Sequence, residues 1–436
     1  MTSQRPRVLL GLAEISGYYA RVGGGLRELG VTCDVVTLDA HQFAYGDDHT
    51  SRLVRLIRRI RSSVGGAPRW LRIPANLTET FLRFVLLLWC LPRYDVFVFG
   101  FRTTFLKLAD LPILRLAGKR LVFVFHGSDS RPPVIDGFIE PNQSGQHLAR
   151  ASRRQRLRLR WIERFAHELV VQPLAAQFHS RPVVLYQAIG HPAPSTDLPS
   201  IGSGDDRAGQ VGSGVALRVV HAPSNPVAKG TDRVRRTVEE LRSEGRDIDY
   251  VELTGRTNAE VLDELARADV AIDQLFSDIS LSVFAAEAAG AGVPPVVGGY
   301  GHDDLREILD PIEMAPGAYC HPDHLAATVR ALADDPAGRH ALGAEARSFI
   351  ASTWNAAAVA SRLLAVIEDR VPDAWRFDPG DLTYVHGAGL DEQRLVAQAT
   401  AVVDVAGFGG LQLDERPDLR DRILDLVSAG RRSIGF

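Results

Sequence analysis

Short apolar runs alternate with amphipathic stretches along most of the chain. Six runs in the first half carry Val, Leu or Phe at nearly every position and are predicted strands: Val8–Ala13, Val31–Leu38, Asp95–Gly100, Lys119–Phe125, Glu168–Gln172 and Pro182–Gln187. Helical spacing lies between them, at Tyr18–Leu29, Ser51–Arg61, Leu77–Cys90, Phe101–Ala117 and Gln146–His167. Continuous apolar runs suit strands covered by helices on both faces, so this pattern predicts a parallel, doubly wound sheet.

The alternation restarts after a stretch rich in Gly, Ser and Asp. Predicted strands are Leu217–Ala222, Tyr250–Thr254, Val270–Leu275, Pro295–Gly298 and Ala318–Cys320. Predicted helices are Thr231–Glu244, Asn258–Ala268, Val283–Ala291, His324–Ala333 and Arg339–Thr353. The fold class is therefore predicted to be α/β, with two doubly wound, Rossmann-like domains that face a cleft. Ligands of such sheets bind outside the carboxyl ends of the strands.

The same pattern sets the expected boundaries. The first domain is predicted to span 1–195, a linker 196–215 and the second domain 216–353. A helix at 354–371 is expected to close the fold by packing back on the first domain. Residues 372–436 form a C-terminal extension with helical patterns near Glu392–Ala399 and Pro417–Ala429, and the sequence suggests no role for it.

Composition excludes several protein classes. Fractions of 45% hydrophobic and 24% charged residues are those of a soluble globular protein, not of a disordered or fibrous one. The most apolar stretch, Phe84–Pro92, is too short to cross a bilayer, which takes about 20 residues. The N-terminus reaches Glu14 after a six-residue apolar run, which is unlike a secretory signal. Three distant cysteines fit a reducing cytoplasm better than a disulfide framework.

Charge divides the chain. Residues 1–200 hold 27 basic and 15 acidic residues, whereas residues 201–436 hold 23 and 38. Opposite net charges suggest that the two domains have different partners. Only three of the 50 basic residues are lysine, which is typical of a GC-rich genome and draws attention to each lysine.

Two turns of the first half are candidate ligand contacts. Gly11–Gly17 joins the first predicted strand to a helix, where backbone N–H groups are open to a ligand. It is not the GxGxxG of nicotinamide sites, and the alternative is a plain tight turn. His126 and Gly127 directly follow the apolar strand Leu121–Phe125, so the imidazole is a candidate cleft residue. The alternative is a histidine satisfied by nearby backbone.

Two side chains stand out in the second half. Lys229, next to Gly230, precedes a helix, and an ammonium at a helix N-terminus suits phosphate. The alternative is a surface lysine in a loop. Glu287 is a lone carboxylate on a helix of small residues and should accept hydrogen bonds from hydroxyls in the cleft. The alternative is a solvated surface Glu. Ser280 and Ser282 lie where that helix begins, with free N–H groups for phosphate.

At this point the chain resembles a family. The run KGTD at 229–232, the run ELARADVAIDQL at 264–275 and the run EAAGAGVPPVVGG at 287–299 resemble the donor domain of GT-B glycosyltransferases, and within them the retaining family-4-like group. The HGSD element at 126–129, the Gly17 turn and the run RSFIASTWNAAAVASRLLAVI at 347–367 are similar to the acceptor domain and closing helices of that group. The resemblance covers roughly residues 5–370.

The resemblance implies roles for individual residues. It places Glu287 on the donor ribose hydroxyls, as the second Glu of the family's E-x7-E pair. Lys229 would hold the diphosphate, and the backbone of Ser282 and Val283 would meet the distal phosphate. His126 would lie close to the transferred sugar and Gly17 near the diphosphate. The implied catalytic residues are thus His126, Lys229 and Glu287, and the donor-binding residues are Gly17, Asn225, Lys229, Asp278, Ser280, Ser282, Val283 and Glu287.

The chain departs from the family pattern at two places. The first Glu of E-x7-E would fall at 279, which is Ile279, and Asp278 is the candidate substitute one residue away. The family's arginine before the KG turn has no clear counterpart, and Asn225 is the nearest polar candidate. These departures leave three hypotheses open: a retaining glycosyltransferase, an epimerase or phosphorylase on the same fold, and a non-catalytic relative that binds a sugar nucleotide or a partner protein.

The expected co-substrate is a nucleoside diphosphate sugar, with no cofactor and no metal. The one Asp-x-Asp triplet, Asp247–Asp249, precedes a predicted strand and so lies at the amino end, away from the cleft. Lys229 and the helix N-terminus at Ser282 would instead stabilise charge on the leaving diphosphate.

Arginines suggest a location. Residues 51–75 contain seven arginines and no acid, and residues 150–164 contain seven against Glu163. Apolar residues interleave with Arg52, Arg55, Arg58, Arg59 and Arg61 at helical spacing, and Trp70 follows as a candidate interfacial anchor. This pattern is typical of a basic amphipathic helix on an anionic membrane, although a solvated helix has the same pattern. The expectation is a cytoplasmic protein attached to the inner face of the membrane, with a glycan or lipid-linked acceptor and no nucleic acid partner.

Overall fold

The computed structural model describes residues 5–38, 52–64, 69–101, 103–138, 143–193 and 216–434. Its side chains are described over the same ranges except 63–72 and 431–434. The predicted linker at 196–215 and the side chain of Trp70 lie outside this part of the chain.

The first sheet has seven strands. They are β1 Val8–Leu12, β2 Cys33–Thr37, β3 Val96–Gly100, β4 Arg120–Val124, β5 Glu168–Val171, β6 Val183–Leu185 and β12 Arg376–Phe377, in the order β12-β6-β5-β4-β3-β1-β2. The first six are parallel, and β12 pairs antiparallel with β6. Neighbouring positions of β3 face opposite ways: Phe97 and Phe99 pack in one core cluster, Val96 and Val98 in another. Both faces of the sheet are therefore buried, as the apolar runs predict.

The second sheet has five parallel strands. They are β7 Leu217–His221, β8 Ile248–Glu252, β9 Val270–Ile272, β10 Pro295–Gly298 and β11 Ala318–Cys320, in the order β11-β10-β9-β7-β8. The prediction of two doubly wound α/β domains is confirmed, because two separate sheets, parallel in every pairing except that of β12, are each interleaved with helices.

The helices of the first half connect the strands of the first sheet. They are α1 Tyr18–Glu28, α2 Arg52–Val64, α3 Arg69–Cys90, α4 Leu111–Leu116, α5 Gly145–Phe165 and α6 Tyr186–Ile189. The predicted helix Phe101–Ala117 is wrong over its first half. There the Asp110 carboxylate accepts hydrogen bonds from the amides of Phe105 and Leu106, and Lys107 has a φ of 52°. Side-chain bonding of these amides replaces the helical pattern.

The second half contains ten helices within its described residues. They are α7 Pro226–Lys229, α8 Thr231–Ser243, α9 Asn258–Leu265, α10 Val283–Ala291, α11 His302–Ile308, α12 Leu325–Asp334, α13 Pro336–Ser352, α14 Ala356–Ile367, α15 Glu392–Ala406 and α16 Pro417–Ile434. The bounds of α10 coincide with the prediction. Gly292, with a φ of 80°, ends that helix in the left-handed conformation that glycine adopts without strain.

The last part of the chain returns to the first domain. Helix α14 packs on α1, where a Cβ at Gly25 would lie 2.5 Å from the Ala356 carbonyl oxygen, so only glycine permits this approach. Strand β12 extends the first sheet, and α15 packs on α5. The extension also reaches the second domain, because the Gly389 amide donates to the Phe276 carbonyl at 2.8 Å.

Candidate functional site

The turn after β1 is organised by a carboxylate. Gly17 has a φ of 78° and directly precedes α1. The Glu14 carboxylate accepts hydrogen bonds from the amides of Ile15, Tyr19 and Ala20, at 2.8, 3.1 and 3.0 Å. Burial raises the pKa of Glu14. The sequence predicted that backbone amides at this helix end are open to a ligand. Three of them instead donate hydrogen bonds to the Glu14 side chain in the same turn.

His126 lies two residues after the last residue of β4, at the carboxyl end of that strand. Its amide donates to Asp129 Oδ1 at 2.9 Å, and its ring meets the edge of Tyr18 with centroids 5.2 Å apart. Burial lowers the pKa of His126 to about 3, so the imidazole is neutral at neutral pH. Its Nε2 atom is buried without a hydrogen-bond partner in the described residues. A neutral imidazole can give or take one hydrogen bond there but brings no positive charge.

Lys229 is buried, and its ammonium is held in place. Asn225 caps α7 by accepting the Ala228 amide at 3.1 Å, which sets the short turn that ends in Lys229. The Lys229 Nζ atom donates to Asp273 Oδ1 at 2.7 Å. Asp273 follows β9 and is completely buried. The surface-loop alternative is therefore wrong: this lysine belongs to a buried ion pair at the carboxyl end of the second sheet.

Glu287 is also buried, with 3% of its surface exposed. Its Oε1 accepts a hydrogen bond from Asn258 Nδ2 at 2.8 Å. Arg21 Nη2, from α1 of the first domain, lies 4.0 Å from the same oxygen. Burial raises the pKa of Glu287, while Asn258 and Arg21 act in the opposite direction. The solvated-surface alternative is excluded, and this carboxylate faces the first domain.

The start of α10 is uncapped by its own side chain. Ser282 precedes the helix in extended conformation, and its hydroxyl makes no capping hydrogen bond. Ser280 is fully buried, whereas Ser282 and Val283 are half-buried. The N-terminus of α10 carries a partial positive charge that suits an anion.

Asp278 has a different partner from the one expected. Its carboxylate forms a buried ion pair with Arg131, which follows the His126 turn in the first domain. Asp136 Oδ2 lies 3.8 Å from Arg131 Nε on the other side. Burial raises the pKa of Asp278, and the Arg131 charge opposes this rise. The structure thus engages Asp278 between the domains, and donor binding by this side chain stays a prediction.

Part of the predicted set comes together. Lys229 Nζ lies 5.9 Å from the ring centroid of Phe284, which is one helical turn before Glu287 on α10. Lys229, Glu287 and the start of α10 therefore share one region, and Arg21 of the first domain faces it. Sequence reasoning missed Arg21, Asp273 and Asn258. Arg21 carries a usable signal, because it lies one turn into the helix that opens at the Gly17 turn.

The basic helix lies apart from this region. Arg52, Arg55, Arg59 and Arg61 are exposed on α2, whose Val54 and Ile57 are buried. Arg58 differs from them, because its guanidinium donates to the Thr37 carbonyl at 3.0 and 2.7 Å. Arg58 is thus tied to the end of β2 rather than directed only to solvent.

Within the described ranges, no group of three or more His, Cys, Asp or Glu residues could hold a metal ion. Asp249 of the Asp-x-Asp triplet lies inside β8, where it pairs with Arg218.

No protein-family model matches the sequence, and no curated protein is similar to it. Solved structures that match the chain include three of low sequence identity. Anabaena HepE in complex with UDP is 12% identical, with 83% of this chain and all of that chain covered and a TM-score of 0.45. The catalytic domain of Arabidopsis thaliana starch synthase IV, bound to ADP and acarbose, is 12% identical, with 83% of this chain and all of that chain covered and a TM-score of 0.47. A putative UDP-N-acetylglucosamine 2-epimerase from Listeria monocytogenes is 13% identical, with 84% of this chain and 96% of that chain covered and a TM-score of 0.42.

These similarities identify neither the activity nor the substrate of this chain. The fold assignment rests on its own two sheets, whose carboxyl ends face each other at the Arg131–Asp278 pair. Two Rossmann-like domains in this arrangement are the architecture of the GT-B fold.

Proposed function

We propose that this protein is a retaining glycosyltransferase that moves a sugar from a nucleoside diphosphate donor to an acceptor hydroxyl. The supporting observation is the convergence of Lys229, Glu287 and the start of α10 in one region that faces Arg21 of the first domain. An ammonium, a helix N-terminus and a carboxylate match a diphosphate and the hydroxyls of its ribose.

The proposed chemistry follows from charge. Transfer breaks the bond between the anomeric carbon and a diphosphate oxygen and forms a bond to the acceptor oxygen, whose proton passes to the departing diphosphate. Negative charge therefore grows on the departing diphosphate. Lys229, oriented by Asp273, and the N-terminus of α10 would stabilise that charge without a metal. Glu287 would hold the ribose, and the neutral His126 would give the sugar one hydrogen bond.

The acceptor and the location are part of the proposal. The first domain, whose residues carry the positive charge, would lie on an anionic inner membrane leaflet through the exposed arginines of α2. A lipid-linked or cell-envelope glycan would then reach the cleft from the membrane side. The acidic second domain would remain in the cytoplasm and bring the donor.

A non-catalytic relative is the second candidate. Position 279 is Ile279, and the neighbouring Asp278 is engaged by Arg131, so the first carboxylate of the family pair has no free substitute at this place. Such a protein would bind sugar nucleotides without turning them over. An epimerase on the same fold would instead convert the donor with no acceptor present.

A donor-by-acceptor matrix with mass detection separates the three. Sugar transfer that requires both substrates supports the glycosyltransferase, and it should survive chelation of divalent metals. Conversion of a nucleotide sugar alone supports the epimerase. Donor binding by calorimetry with no product in any combination supports the non-catalytic relative. Lys229→Ala should abolish transfer, whereas Lys119→Ala, in the turn before β4, is the matched control and should not.

A further inference from the structure

Helix α3 carries an exposed apolar stripe. Its members are spaced by four, four, three and four residues, which puts them on one face, and each is 38–68% exposed: Ile73, Leu77, Phe81, Phe84 and Leu88. Single exposed apolar residues are ordinary on protein surfaces, but a continuous row marks an interaction surface. The sequence prediction placed the membrane contact on α2 and assigned no role to this face.

The opposite face of α3 fastens the helix to the first domain. Leu86, Leu87 and Cys90 are buried at helical spacing. Arg83 is buried with them, and its guanidinium donates to the carbonyl oxygens of Thr104 and Phe105, each at 2.8 Å. The stripe thus points outward from a helix whose other side belongs to the core.

This anchoring bears on how the helix can meet a membrane. By length and composition, the segment Ile73–Cys90 could cross one, and 22% of it is buried. If α3 crossed a membrane, Arg83 would lose its hydrogen bonds to two backbone carbonyls, and the core of the first domain that packs against Leu87 would be exposed. A helix with one apolar face outward and the other packed on a domain is instead suited to lie in the plane of the interface.

The positive charge of α2, next to the stripe, indicates what kind of surface the stripe contacts. Helix α2 packs against α3 and exposes Arg52, Arg55 and Arg59, and it contains no acidic residue. In a symmetric dimer through the stripe, each copy would bring the same arginines to the same interface, and like charges would oppose each other. An anionic lipid surface offers hydrocarbon for the stripe and negative headgroups for the arginines.

We propose that the α3 stripe inserts into the headgroup and upper acyl region of an anionic membrane, with α2 beside it at headgroup level. This rests on the membrane location proposed above and needs no sugar transfer. The arginines attract the protein over distance, whereas the stripe supplies contact that salt does not screen. Membrane binding should therefore have a salt-sensitive part from α2 and a salt-resistant part from α3.

Flotation of the full chain with phosphatidylglycerol–phosphatidylcholine vesicles tests this. Leu77→Ser combined with Phe81→Ser should lower vesicle partitioning by about tenfold or more and abolish the salt-resistant part. Both side chains are mostly exposed, so the variant should keep its circular dichroism and melting temperature. The control is Ile312→Ser, which is 70% exposed on the second domain and should bind as the wild type does.

Two outcomes would overturn the proposal, and a third bears on the proposed function. Unchanged partitioning of the Leu77 and Phe81 variant would overturn the proposal. A wild-type dimer that this variant converts to a monomer would also overturn it, in favour of a second copy as occupant. The variant should still transfer sugar to a water-soluble acceptor, because the stripe takes no part in transfer. If the wild type binds vesicles but transfers no sugar, the proposed function is wrong and the membrane proposal stands.

Discussion

Arg131 of the first domain and Asp278 of the second form a buried ion pair, so an electrostatic bond fastens the two carboxyl edges together. Arg131 is 4% exposed and Asp278 is 3% exposed. Removal of one partner leaves the other charge buried without a counter-charge. This destabilises the folded state more than replacing both partners with apolar residues does.

Arg131→Met should therefore lower the free energy of unfolding by about 3–5 kcal/mol, because Asp278 and Asp136 lose their shared cation. Adding Asp278→Leu should recover much of the loss. Urea unfolding of the single and double variants measures this. The exposed pair Arg306–Asp303 is the control, and Arg306→Met should cost no more than about 1 kcal/mol. Equal losses in the single and double variants would contradict the ion-pair explanation.

Glu287→Ala should impair donor use more than folding, since the side chain lies on a helix of small residues and leaves little void. We expect kcat/KM to fall by about 30- to 1000-fold, which corresponds to about 2–4 kcal/mol of transition-state stabilisation. Asn258→Ala, which removes the hydrogen bond that orients Glu287, should have a smaller effect in the same direction. Glu240→Ala on the exposed face of α8 serves as the control. Wild-type turnover in Glu287→Ala would exclude its proposed role.

Three variants test whether Lys229 has the proposed chemical role in addition to its structural role in the ion pair with Asp273. Lys229→Ala should lose both turnover and stability, because Asp273 would remain buried without its cation. Lys229→Met with Asp273→Asn should regain stability but not turnover. Lys229→Arg should be only partly active, since a planar guanidinium replaces a compact ammonium. Full activity of the arginine variant would show that ammonium shape is unimportant; full activity of the double variant would remove Lys229 from the reaction.

His126 should make the protein sensitive to acid. Its pKa is about 3 when folded but near 6.5 when unfolded, so between these values the unfolded chain binds a proton that the folded chain excludes. Stability from this group is thus fully present above pH 6.5 and is lost as the pH falls toward 3. His126→Phe should narrow the difference between the melting temperatures at pH 7 and pH 5. An NMR titration in which the His126 ring protonates near pH 6 would contradict the low pKa.

The fold was predictable because its signals are local. Hydrophobic periodicity, apolar runs and helix caps each involve residues close together in the sequence, and α10 spans Val283–Ala291 as predicted. The failure at Phe101–Ala117 is also local but involves chemistry that periodicity ignores, since Asp110 captures the amides of Phe105 and Leu106.

The site was predictable only in part, because its decisive contacts join distant parts of the chain. Lys229 was marked by its position before a helix N-terminus, and Glu287 was marked as a lone carboxylate on a helix of small residues. Nothing local indicates that Asp273 would pair with Lys229 or that Arg21 would approach Glu287. The engagement of Asp278 by Arg131 likewise depends on how two domains meet, which one-dimensional spacing does not encode.

The return of the chain to the first domain has a consequence for biosynthesis. The face of α1 that carries Gly25 is covered by α14, and the β6 edge is covered by β12. When only the first 200 residues have been translated, the first domain therefore still has the apolar face of α1 uncovered and the edge of β6 unpaired. The first domain to be synthesised is thus the last to be completed, and the nascent chain must be kept from aggregating until nearly all of it has been translated.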